Sequence, residues 1–206
     1  MENKMAKQTI REPKQKRAIA KKEKILKASF QIFCDKGYYN TNTAEIAKKA
    51  NVSTGIVYSY FKDKEDILIE VVKIYIASLR HQFDQLLLSS INQKSLPNII
   101  EKIIDVLISS HTMNVDAHNE FMAMSMLNKD INVMFDAFEK ETLEKLTKIL
   151  IDSGYSDKNI YVKVRIGYNL AEQLAHTYIQ EKCNKEDFAA MKRFTIDAIV
   201  FLLNDN

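Results

Sequence analysis

A chain of 206 residues, 46% hydrophobic and 28% charged with a formal net charge of +3, has room for a small module and one larger core. It has no run of about 18 apolar residues and no opening signal peptide, which argues against a membrane-spanning protein and predicts a soluble, cytoplasmic one with no membrane partner. Its two cysteines, Cys34 and Cys183, fall in different predicted domains, which argues against a disulfide framework and fits a reducing compartment.

Charge is uneven along the chain. Residues 1–24 carry nine basic and three acidic side chains, a net +6, whereas residues 25–70 balance at six of each and residues 71–206 hold fifteen basic against eighteen acidic groups. The basic front has little apolar content before Ile19 and contains Pro13, so residues 1–24 are predicted to be a flexible arm. Basic blocks at a terminus either follow the phosphates of a nucleic acid or lie in its minor groove, or are solvated tails.

From Ile25, three short helices follow in close order. Ile25, Ala28, Ser29, Ile32 and Phe33 make an apolar stripe that ends at Gly37, where a positive φ stops the helix. Asn42 with Glu45 can form a capping box for the second helix, with Thr41 as an equal candidate cap one residue earlier. Ile46, Ala47 and Ala50 give that helix its inner face. After a turn at Asn51-Val52-Ser53, the third helix has Val57 and Phe61 four residues apart as buried anchors. Gly55, Ile56, Tyr58 and Ser59 then point outward. A glycine there costs about 1 kcal/mol relative to alanine, which makes sense where the backbone must approach something closely. Asp63 and Asp66 cap a fourth helix and place Lys64 in its first turn. Two short helices joined by a tight turn are a helix-turn-helix, whose second helix can enter the DNA major groove.

At these residues a specific resemblance emerges. GYxxT, EIAKKA and VSTGxVYxYFKDKEDIL, in that order, resemble the DNA-binding domain of the TetR (tetracycline-repressor) family of bacterial regulators over roughly Ile25 to Glu70. Asn51 departs from the glycine usual in the family's turn, but asparagine tolerates the left-handed region. The resemblance implies that Thr43 meets phosphate and that Ser53, Thr54, Gly55, Ile56, Tyr58, Ser59, Tyr60 and Lys64 form the DNA face. Hydroxyls and helix-end amides suit phosphate oxygens, and Lys64 supplies a point charge. The third helix carries no Arg, Asn or Gln for bidentate base reading. Thr54 and Ile56 can touch thymine methyls, so sequence choice leans on apolar contacts and DNA shape.

Four glycines and two prolines leave few breakers, and the remainder reads as helices at 64–90, 96–112, 118–127, 130–153, 157–182 and 185–204. The fold expected is all-α: a DNA-binding domain at 25–70 followed by a larger helical domain at 71–206. The last two helices are apolar on more than one side, and a second stripe wants a second partner. Gly167, Ala171 and Ala175 would let another helix approach closely. By resemblance, these helices pair with their copies in a homodimer, with Leu170, Leu174, Tyr178, Phe194, Ala198 and Phe201 as its buried part. A deep position in a monomer core is the competing reading.

The resemblance also implies a pocket for an unidentified small-molecule effector in the middle helices. Met113, Phe121, Met124 and Phe138 are candidate walls, and Tyr168, Gln173 and His176 candidate polar contacts. Such a stripe is more often plain core. His111, His118 and His176 with Cys183 share no recognised metal spacing, so no metal or cofactor is expected. Glu172 and His176 lack any accompanying nucleophile or phosphate loop, which leaves an enzyme without support. The function expected is a homodimeric repressor that binds a palindromic operator in double-stranded DNA and leaves it when a small apolar effector binds. An activator, a regulator binding as two dimers, and a helical interaction protein that does not bind DNA are the alternatives.

Overall fold

The computed structural model describes residues 16–90, 95–112, 114–155, 157–180 and 183–204. Among them are nine helices and no strand: α1 (Lys16–Lys36), α2 (Thr43–Lys49), α3 (Thr54–Tyr60), α4 (Lys64–Ser90), α5 (Leu96–Thr112), α6 (Val115–Leu127), α7 (Lys129–Asp152), α8 (Ile160–Ile179) and α9 (Lys185–Asn204). None is long and apolar enough to cross a membrane. Residues 1–15 of the predicted arm and Met113 lie outside the described residues. The arm's remainder is not an extension. Residues 16–24 form the first turns of α1, because Lys, Ala and Glu are strong helix formers, and Lys22 pairs with Glu70 at 3.1 Å.

The chain divides into two compact units, one of residues 1–75 with 119–131 and one of residues 76–118 with 132–206. The division differs from the expected break after residue 70, since part of α6 joins the first unit. Helices α4, α6 and α7 are each continuous through it.

In the first unit, α1 to α3 and the start of α4 bury Ile25, Phe33, Ile46, Val57, Phe61 and Ile67 almost completely. Gly37 ends α1 at φ +82°, and its N–H still donates to Phe33 O at 2.9 Å. Asn42 is the N-cap of α2. Its side chain accepts from Glu45 N at 3.0 Å while Glu45 Oε2 accepts from Asn42 N at 3.3 Å, a complete capping box. Thr41 instead turns its hydroxyl back to Gly37 O at 2.9 Å. Asn51 adopts φ +53°, as the tight turn requires, and Ser53 caps α3 by accepting from Ile56 N.

Phe121 and Met124, expected to line a ligand pocket, are core residues of this first unit. Phe121 packs against Phe30 and Tyr75 with ring centroids 5.8 and 5.1 Å away. One residue earlier, Glu120 Oε1 accepts from Tyr38 N at 2.5 Å. Periodicity showed that this face of α6 was buried but not what covered it.

The second unit packs α5, α8 and α9 over α7 around Ile100, Ile104, Leu107, Leu143, Leu146 and Leu174. Ion pairs clamp the edges: Arg80 and Lys145 meet Glu141 at 2.8 and 3.0 Å, and Lys192 meets Glu101 and Asp105 at 3.0 and 2.7 Å. Gly167 is the point where α9 crosses α8, since a methyl there would stand 3.1 Å from Ile199 Cγ2. The small-residue stripe of Gly167, Ala171 and Ala175 therefore packs within the chain's own core.

Asn42→Ala should lower the stability of the first unit by about 1 kcal/mol in urea unfolding, with Asn42→Asp close to the parent because Asp also caps. Asn51→Val should cost about 1–2 kcal/mol for forcing a branched residue into the left-handed region, and Asn51→Gly should cost nothing.

Candidate nucleic-acid interface

Seven residues make too short a helix to persist alone, so α3 exists because its inner side is buried. Val57 is 0% and Phe61 1% exposed. With those two turned inward, Ser53, Gly55, Tyr58 and Ser59 are exposed and Thr54, Ile56 and Tyr60 half-buried, as is Thr43 at the start of α2. Each of these side chains is thus at least partly accessible, and Lys64 has a second role.

Lys64 is half-buried, and its ammonium donates to Tyr38 O at 2.8 Å and Thr41 O at 2.7 Å while standing 4.2 Å from the centre of the Tyr38 ring. Burial pulls its pKa below the usual lysine value. Two of its three protons are therefore spent holding the 38–41 loop, and one remains for a phosphate. Sequence offered no sign of this, because the acceptors are main-chain carbonyls more than twenty residues away.

The hydroxyls are also more specialised than their residue types suggest. Thr43 Oγ1 and Tyr58 Oη are 2.8 Å apart, so one proton bridges them and one O–H is left to donate outward. Ser59 donates to Ile56 O at 2.7 Å and offers an approaching group only lone pairs. Ser53 accepts within its cap and keeps its proton free to donate. Among the described residues, nothing outside its own helix and chain neighbours lies within 4 Å of where a Gly55 side chain would start, so packing against them does not require glycine there.

The other expected sites fare less evenly. Leu170, Tyr178, Phe194, Ala198 and Phe201 are exposed, Phe194 by 61% and Phe201 by 73%, with Val162, Ile166 and Met191 extending the same apolar surface of α8 and α9. Leu174 is 2% exposed and belongs to the intrachain core. Of the ligand candidates, Phe138 is half-buried with the Arg80 guanidinium 5.9 Å from its ring centre, and Gln173 is exposed, apart from the core that Tyr168 packs against. Tyr168 and His176 do converge, on Glu172. Tyr168 lines a small apolar cavity of about 30 Å³ with Ile100, Leu146, Val164 and Ile199. A larger open recess of about 700 Å³, bounded by Thr112, Val115, Tyr178, Cys183 and Phe188, lies where the ends of α5 and α8 meet the start of α9.

Residues 25–71 match the family model for bacterial regulatory proteins of the tetR family. The HTH-type transcriptional regulator HbdR of Aromatoleum sp. (strain CIB) is 43% identical over 53 residues, which is 26% of this chain and 23% of that protein. The chain thus spans about a quarter of that relative. The fatty acid metabolism regulator protein of Bacillus subtilis (strain 168) is 26% identical over 196 residues, covering 91% of this chain and 96% of that one. A solved structure from Mesorhizobium loti MAFF303099, described as a TetR-family transcriptional regulator, shares the fold at TM-score 0.71 and 19% identity, covering 92% of this chain and 98% of that chain.

Gly55→Ala should leave thermal stability unchanged or raised and still weaken binding to duplex DNA. Lys64→Ala should instead lower stability by about 1–2 kcal/mol, because two carbonyls lose a charged donor. Thermal unfolding and fluorescence anisotropy on the same samples separate the two effects.

Proposed function

We propose that this chain is a TetR-family transcriptional regulator with a DNA-binding helix-turn-helix that works in the cytoplasm as a homodimeric repressor on a palindromic operator. The observation carrying this reading is the two-sided α3, with Val57 and Phe61 buried and Ser53, Gly55, Tyr58 and Ser59 presented to solvent. Two such helices can read successive major grooves only if something holds them roughly 34–36 Å apart, or a multiple of that. The exposed face of Leu170, Phe194, Ala198 and Phe201 supports pairing of α8 and α9 with their copies, since contiguous exposed apolar surface marks an interaction site.

We infer that a small, largely apolar effector regulates the dimer through the second unit. The apolar lining of the cavity beside Tyr168 supports this, as does the full-length similarity to a protein named for fatty acid metabolism. A cavity of about 30 Å³ holds little more than water, so an effector has to part α5 and α8 to enter. It then shifts the protein toward a DNA-incompetent state in proportion to its differential affinity for the two states. Helices α4 and α6 supply continuous backbone from one unit to the next.

Phe194→Glu and Phe201→Glu should weaken self-association at least about 30-fold in analytical ultracentrifugation and abolish tight binding to sites selected from genomic fragments, with helical content unchanged. For the parent protein, log K should fall linearly with log salt. A salt-independent affinity, or full DNA affinity in a monomeric variant, would refute the reading.

A further inference from the structure

Three helices of the second unit each deliver a histidine to one place. His111 comes from the end of α5, His118 from the start of α6 and His176 from the last turn of α8. One ring nitrogen of each lies within 4.8 Å of the others, and the ring centroids are 4.3, 4.9 and 5.2 Å apart. Glu172, one turn before His176, brings its Oε2 to 3.1 Å from His111 Nε2 and 4.0 Å from His176 Nε2. The spacing 111–118–176 matches no metal motif because the residues belong to three different helices, and Cys183 is not among them.

Two features separate this cluster from ordinary core histidines. His111 and His118 are only 5% and 8% exposed, yet among the described residues the Nε2 atom of each is buried without a hydrogen bond. Glu172 is near enough to pair electrostatically with His111 but lacks the alignment of a hydrogen bond. Buried polar atoms left in this way are rare and costly. In addition, His111 Nδ1–H donates to Leu107 O at 2.7 Å, which in the neutral ring leaves the lone pair on Nε2, facing the other rings. Metal-ligating histidines are usually oriented by such a bond to a main-chain carbonyl.

The cluster therefore sets three imidazole rings from three helices around one carboxylate.

We propose that His111, His118, His176 and Glu172 form a binding site for one divalent first-row transition-metal ion. Three imidazole nitrogens and one carboxylate oxygen are the donors that zinc or cobalt takes in four-coordinate sites, whereas magnesium and calcium favour oxygen alone. Bonds of roughly 2.0–2.1 Å place tetrahedral ligand atoms about 3.3 Å apart. The ligand atoms thus close by up to about 1.5 Å, within reach of side-chain rotations. Tyr168, whose hydroxyl burial and Glu172 hold neutral, steadies the carboxylate from the outer shell. This site does not depend on the apolar-effector reading above.

The test uses the full, tag-free chain, stripped with chelator and titrated with cobalt(II) while visible absorption is followed. One equivalent should produce the intense bands of a tetrahedral nitrogen–oxygen site, and one equivalent of zinc(II) should erase them. His176→Ala, at the least buried of the three positions, should lower affinity at least about 100-fold, and His118→Asn should do the same. His81→Ala removes the fourth histidine of the chain and should change nothing. Circular dichroism shows which variants keep the fold. If His118→Asn does not fold, the parent spectrum and His176→Ala still decide. Absence of a saturable tetrahedral spectrum, equal affinity in His176→Ala, or a loss in His81→Ala would overturn the proposal.

Discussion

Burying Val57 and Phe61 together fixes the rotation of α3, and with it the direction of every other side chain on that helix. Two apolar residues four apart define one face, and the helix is too short to hold any other orientation by itself. The rest of the first unit serves that burial. The capping box at Asn42, the left-handed turn at Asn51 and the Ser53 cap set where α2 stops and α3 starts. Glu120 on Tyr38 N and Lys64 on Tyr38 O and Thr41 O brace the preceding loop from both sides. The outward surface is therefore rigid through contacts made behind it.

That arrangement changes what the surface groups can do. Lys64 is more brace than free charge, and Thr43 and Tyr58 act as a coupled pair with a single outward proton. With no bidentate base reader on α3, the recognition proposed above would rest on backbone approach at Gly55, apolar touch from Ile56 and hydroxyl contacts to phosphate. Phosphate contacts position the protein while base edges specify the sequence, so this face suits firm docking better than a fine direct code.

The second unit sorts its residues by a different rule. On α8, Ala171, Leu174 and Ala175 fill the core, and Gly167 admits Ile199 closely, while Val162, Ile166 and Leu170 face solvent. One helix thus carries an inner seam of small residues and an outer row of large ones. Large side chains are left outside, where a second copy can cover them, because small ones already let α9 pack closely within. Between the ends of α5, α6 and α8, the same core admits a polar knot of three imidazoles and a carboxylate that apolar packing does not explain.

Much was legible in the sequence because it is local. Turn residues, caps and helical periodicity act within a few positions, so α2 to α5, α7 and α9 were readable to within a residue or two, and so was the outward face of α3. The fate of a buried stripe was not legible, because periodicity says that a face is covered and never by what. Phe121 and Met124 joined the core of the first unit and Leu174 the core of the second for that reason. The start of α1 was misjudged because nine basic residues read as a charged tail, although most of those within it also favour helix. The sequence alone determined that a short, anchored helix would display Gly55 and Tyr58, since four-residue spacing needs no partner to define a face. Only the tertiary structure decided that Lys64 would brace a loop and that His111, His118 and His176 would meet, since both depend on contacts between elements far apart along the chain.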